Sequence, residues 1–183
     1  MAKPKRSKDY LIWLDLEMTG LDPEVHAIIE IGCAVTDSQL NLIAEGPVFA
    51  IAQSKKVMAK MDAWCVKQHG QSGLTRRVQE SKIDLKKAEA ETLQFLKRYC
   101  EPKSSPLCGN SIGQDRRFLY KYMPVLNDFF HYRNIDVSSV KELVRRWYPR
   151  TFEAPAKKNT HHVLDDVRES IAELKYYRQK VFC

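Results

Sequence analysis

Two β-forming runs near the N-terminus constrain the fold more than any other feature of the chain. Tyr10 to Leu16 (YLIWLDL) and Ile28 to Thr36 (IIEIGCAVT) are dense in branched and aromatic residues, and Gly20, Asp22 and Pro23 between them supply a turn. Runs of this kind pair as neighbouring core strands. Leu40 to Ala50 (LNLIAEGPVFA) adds a third, in which Gly46 and Pro47 predict a bend or bulge rather than a straight strand. The N-terminal third therefore predicts a β-meander.

From Ala59 the periodicity becomes helical, most clearly over Leu85 to Tyr99, where Ala88, Thr92, Phe95, Leu96 and Tyr99 share one face and Pro102 and Pro106 end the run. Leu107 to Asn110 is a short apolar stretch before a glycine-flanked turn. Asp115 to Met123 predicts a helix stopped by Pro124, Asn134 to Val137 a short strand, and Val140 to Trp147 and Leu164 to Val181 two further helices. Strands first and then helices alternating with short strands predict an α/β layer structure around a mixed sheet.

A chain of 183 residues can bury one ordinary core without staples. The expected organisation is a flexible basic tail over residues 1–8 and a single domain over 9–183. The five cysteines (Cys33, Cys65, Cys100, Cys108 and Cys183) are far apart and form no C-x-x-C pair, which predicts free thiols in a reducing compartment rather than a zinc site. MAKPKRSK has no apolar stretch behind it, and no later run approaches the ~18 residues of a membrane span, so a cytoplasmic location is expected. The net charge of +7 and pI of about 9.1 suit a polyanionic partner, and equally a soluble surface.

The first run carries chemistry. Asp15 and Glu17 are two apart in a strand and so project from one face, while Ile12, Leu14 and Leu16 mark that strand as central and buried. Paired carboxylates at the end of a strand can simply face solvent. In a buried strand they repel unless a cation lies between them. Asp115, in GNSIGQDRRF, enters a helix, where an acid also serves as a cap, and the same holds for Asp165 or Asp166 after His161 and His162. Together these types suit phosphodiester hydrolysis. Hard oxygen ligands hold two Mg²⁺ or Mn²⁺ ions, roughly 3.5–4 Å apart, that stabilise the entering and leaving oxygens. A neutral histidine takes the proton from the attacking water. On this reading Asp15, Glu17, Asp115 and Asp166 hold the metals and His161 is the base.

The order of WLDLEMTGLDP (13–23), IIEI (28–31), GNS (109–111), DRRFL (115–119), FHYRN (130–134) and H-x-x-L-D-D (161–166) resembles the histidine-containing branch of the DEDD-type 3′-to-5′ exonucleases, and within it the oligoribonucleases. The resemblance implies a ribonuclease H-like fold with a mixed five-stranded sheet flanked by helices. It implies a homodimer that hydrolyses dinucleotides and other very short RNAs to mononucleotides, the last step of RNA degradation. The branch places its base five residues before the last metal-binding Asp, which selects His161 with Asp166. By the same resemblance Leu21, Trp64 and His69 hold the bases. Ser111 and Ser138, with Tyr132 and Arg133 from the partner subunit, hold the terminal 5′-phosphate. From the residues alone Trp64 can equally be core and Arg133 an ordinary surface charge. Val163 departs from the family, which usually has Ala there, and is expected to alter packing behind the base without removing it. The rival readings are a proofreading-type exonuclease of single-stranded DNA and a non-catalytic nucleic-acid binding module.

Overall fold

The computed structural model describes residues 6–148 and 162–182; His161, Cys183 and the first five residues lie outside them. In chain order the elements are β1 (Leu11–Met18), β2 (Ile28–Thr36), β3 (Leu42–Ala50), α1 (Lys55–Met58), α2 (Ala63–Gln71), α3 (Leu74–Glu80) and α4 (Leu85–Leu96). They continue with β4 (Leu107–Gly109), α5 (Ile112–Tyr122), α6 (Pro124–Phe129), β5 (Asn134–Asp136), α7 (Val137–Trp147) and α8 (Val163–Lys180). The five strands form one mixed sheet in the order β3-β2-β1-β4-β5. The first three are antiparallel, and β4 and β5 continue parallel to β1.

The pleat of β1 sorts its side chains to the two faces of the sheet. Ile12, Leu14 and Leu16 enter a buried cluster with Phe118, Leu119, Leu126 and Phe129 from α5 and α6 and with Leu96 from α4. Trp13 faces the other way, among Val137 and Val144 of α7 and Val167, Ile171 and Tyr177 of α8. Its indole N–H donates to Thr36 Oγ1 at 3.0 Å, so the largest core side chain leaves no polar atom unpaired. Each fully buried aliphatic side chain here contributes about 1.5–3 kcal/mol of burial free energy, and β1 is covered on both faces.

The meander is present, and the bulge falls where Gly46 and Pro47 interrupt β3: the pairing steps from Gly32↔Val48 to Ala34↔Glu45, which leaves those two residues opposite Cys33 alone. β3 starts at Leu42 rather than Leu40, because Leu40 takes a left-handed φ of 67° in a turn whose Asp37 Oδ1 accepts the Gln39 and Asn41 N–H groups at 2.8 Å. Helix α5 begins at Ile112, three residues before the predicted Asp115. Pro124 stops α5 but also opens α6 as its first residue, a position where proline loses no hydrogen bond. At α7 the start is Val137 rather than Val140, since Asp136 Oδ1 accepts the Ser138 N–H at 2.9 Å and caps the helix directly off β5.

In the basic tail, the Ser7 N–H donates to the Tyr99 carbonyl at 3.0 Å. Cys33, Cys65, Cys100 and Cys108 are free and buried. No helix among the described residues is long and apolar enough to cross a membrane.

Candidate active site

Because Trp13 faces α8, the same alternation turns Asp15 and Glu17 toward α8, and Asp166 in that helix's first turn meets them. Carboxylate oxygens of Asp15, Glu17 and Asp166 all lie within 4.8 Å of one another. The approach depends on Gly32, which stands opposite Asp15 in β2. A Cβ there would come 2.6 Å from Val163 Cγ2, so the bare glycine lets the start of α8 press onto the sheet. Val163 is buried and fills that contact.

The fourth acid is placed by a different device. β4 pairs with β1 only at Ile12 and Trp13, and farther along β1 the Leu16 N–H is taken by Asp115 Oδ1 at 3.0 Å. Asp115 thus serves as a polar extension of the sheet, and its charge acts on Glu17 from the α5 side, although its carboxylate stands outside the group of three that lie within 4.8 Å of one another. It is buried, and burial raises its pKa to about 7 against the lowering effect of the Leu16 hydrogen bond. Glu17 is pushed up to about 8, first by burial and then by the negative charge of Asp166, Glu30 and Asp115. These acids hold their charge poorly unless a cation joins them, and hard carboxylate oxygens at this spacing fit a divalent ion.

Two residues of this centre carry little signal in the sequence. Glu30 pairs directly opposite Glu17 across β1 and β2 and is buried, and its Oε1 accepts from Arg77 Nη2 of α3 at 2.8 Å. Among the described residues, the Arg77 guanidinium lowers the pKa of Glu17. A charge inside the apolar run IIEI was the available clue to Glu30. Arg77, on a helix with an unremarkable pattern, offered none. Both line a cleft of about 400 Å³ together with His162, Val163 and Arg168.

The remaining expected site residues fall into three groups. Leu21 and Trp64 stand in solvent at 67% and 62% exposure, as large apolar groups without a core to fill. The Leu21 carbonyl is held by the Gln114 side chain, and the N-cap of α2 beside Trp64 is tied to the end of β1 by the Asp62 N–H on the Thr19 carbonyl at 3.2 Å. His69 is buried, with Nε2 2.9 Å from the Met18 carbonyl and Nδ1 3.8 Å from Glu17 Oε2, so its ring lies against Glu17. Ser111 and Ser138 meet, with their hydroxyls 3.1 Å apart and the Ser111 N–H donating to both Ser138 Oγ and Asp136 Oδ1 at 2.9 Å. Tyr132 and Arg133 project from the α6–β5 connection, the guanidinium 5.1 Å from the ring centroid, while Arg116 holds the backbone carbonyls of both. His162 is exposed at the start of α8, and His161 is outside the described residues.

The RNase_T family model, described as exonuclease, matches residues 12–174. An oligoribonuclease of Aliivibrio fischeri is 62% identical over 172 residues, which cover 94% of this chain and 95% of that one. One of Marinobacter nauticus is 60% identical over 174 residues, covering 95% and 97%. Among solved structures, exonuclease I from Methylocaldum szegediense superposes with a TM-score of 0.71 at 18% identity, over 94% of this chain and 41% of that one. The zinc-bound form of an E. coli exonuclease I–single-stranded DNA complex gives 0.73 at 16% identity, over 97% and 41%. The chain thus spans about two fifths of these exonuclease I chains, and at that identity the likeness concerns the fold, which is of the ribonuclease H-like α/β type.

Proposed function

The chain belongs to the oligoribonucleases within the RNase_T exonuclease family, 3′-to-5′ exoribonucleases of short RNA, and from that footing we propose how its residues divide the work. The observation that carries the proposal is the convergence of Asp15, Glu17 and Asp166 within 4.8 Å in a largely buried setting, with Asp115 beside them. These four hold two divalent ions, Mg²⁺ or Mn²⁺. When bound, the ions stabilise charge on the entering and leaving oxygens of the phosphodiester.

His161 takes the proton of the attacking water. Leu21 and Trp64 hold the bases from their exposed positions, and His69 backs them from beside Glu17. Ser111 and Ser138 grip the terminal 5′-phosphate, and Tyr132 and Arg133 of the partner subunit complete that grip in a homodimer. Their exposure, with Arg116 bracing the backbone beneath them, suits a group offered to a neighbour rather than to its own core. An arginine fork is well matched to a phosphate. A terminal phosphate gripped on the same face as the carboxylates favours dinucleotides and rejects long chains, so the product is nucleoside 5′-monophosphate from the last fragments of RNA, in the cytoplasm.

The deciding experiment is a chain-length profile with Mg²⁺ or Mn²⁺: a 5′-phosphorylated RNA dinucleotide, a 20-residue RNA and a single-stranded DNA. The dinucleotide should be turned over fastest. Equal rates on all three would sink the assignment of the phosphate grip.

A further inference from the structure

We infer that Asn110 is a positioning residue that fixes the spacing between the Ser111–Ser138 pair and the carboxylate cluster, and so sets the RNA length this site prefers. The inference rests on the proposed short-RNA reading, in which those serines hold the terminal phosphate. Asn110 sits in the β4–α5 turn, and its amide is bonded at both ends. Nδ2 donates to Ser170 Oγ at 2.8 Å and to Glu173 Oε2 at 3.2 Å, while Oδ1 accepts from Ser138 Oγ at 3.1 Å. The orientation is not arbitrary. Glu173 is a buried carboxylate and accepts only, so the NH₂ group must face it and the carbonyl must face Ser138.

Each end of the amide leads to one half of the site. On one side, Ser170 Oγ donates to the Asp166 carbonyl at 2.8 Å, within the first turn of the helix that brings Asp166 to Asp15 and Glu17. On the other, Ser138 spends its single proton on Asn110 and so accepts from both the N–H and the hydroxyl of Ser111. Ser111 is held there with φ 51° and ψ 31°, a left-handed conformation that a serine keeps only when its surroundings impose it. The start of α7, the start of α5 and the first turn of α8 are thus joined through one side chain. Without it, the serines stay linked to Asp115 through the first turn of α5, but among the described residues no polar bond joins them to the helix that carries Asp166.

The test compares three substrates: a 5′-phosphorylated RNA dinucleotide, the same dinucleotide without its 5′-phosphate, and a seven-residue RNA. Asn110→Ala should lower kcat/KM on the phosphorylated dinucleotide roughly tenfold to a hundredfold, the range for residues that orient a metal site or ligand from behind. The other two substrates should change by less than about threefold on the same reasoning, because neither depends on the spacing being held. Ser170→Ala removes one of the amide's two bonds to α8, leaving that to Glu173, and should move the preference in the same direction by a smaller factor. A uniform fall on all three substrates would mean that Asn110 matters only for folding and would overturn the inference. So would a wild-type preference that survives both substitutions. If the wild-type protein has no preference for the phosphorylated dinucleotide, the short-RNA reading fails first and takes this inference with it.

Discussion

At the scale of single residues, the chemistry of Glu17 is decided by what surrounds it. Its spacing from Asp15 was legible because alternation in a strand is strict, and the apolar flanks announced a buried position. Nothing in that pattern says that Glu30 stands across the strand or that Arg77 reaches it from α3, since cross-strand register and helix placement are tertiary facts. The Glu30–Arg77 pair lies with its carboxylate buried and its guanidinium about one third exposed. Removing only the cation leaves an uncompensated buried charge opposite Glu17. Arg77→Ala should therefore cost about 1–3 kcal/mol, less than for a fully buried pair because solvent screens the arginine. Thermal unfolding checks it: the double substitution Glu30→Gln with Arg77→Ala should unfold above Arg77→Ala alone, and an equal or lower midpoint would refute the charge argument. The two adjacent histidines separate by kinetics. His161→Ala should lower kcat about 10²–10⁴-fold, the usual range for losing a general base, and His162→Ala less than about tenfold. A reversed order would transfer the role to His162.

At the scale of elements, type and order were read from the sequence more reliably than ends. The meander, the Gly46–Pro47 bulge and the long final helix all followed from local pattern. Helix starts did not: at α5 the N-cap Ser111 is held by Ser138 and Asp136 from more than twenty residues away, while at α7 the cap is Asp136 itself, an acid that falls within the expected strand over 134–137. The docking of α8 was equally hidden. It depends on a glycine in β2 and a valine about 130 residues later meeting face to face. This contact gives a reciprocal test. Gly32→Ala puts a methyl into Val163 and should destabilise the protein by roughly 1–3 kcal/mol, as overpacking does, while lifting Asp166 from Asp15 and lowering activity. Adding Val163→Ala makes room for that methyl and should restore most of both. If the second substitution lowers the melting midpoint and kcat/KM further, α8 is not seated by this contact.

At the scale of the whole molecule, burial of the acids links stability, pH and metal. Glu17 at about 8 and Asp115 at about 7 both lie above their ordinary values, so the metal-free folded state binds more protons than the unfolded chain between about pH 4 and 8. The stability associated with their protonated forms is fully present below the unfolded values and is lost as pH rises through 7 and 8. Protein stripped with a chelator should accordingly melt at a lower temperature at pH 8.5 than at pH 6. The stabilisation gained on adding Mg²⁺ should be larger at pH 8.5, because binding at pH 6 must also displace protons. A larger metal-induced shift at pH 6 would contradict the shifted values. Assembly can be tested without a structure of the dimer. In an isologous pair, a site built from one protomer's acids and Arg133 of the partner subunit is broken by Asp15→Asn in one chain or by Arg133→Ala in the other. Each variant alone should be nearly inactive on the phosphorylated dinucleotide. When the two are mixed and allowed to exchange, a heterodimer joins intact acids to an intact arginine at one of its two sites. With random pairing, about one quarter of all sites become whole, and activity should recover to about that fraction of wild type. Were Arg133 to serve the site of its own chain, every site in the mixture would still lack either Asp15 or Arg133, and activity would stay at the level of the separate variants.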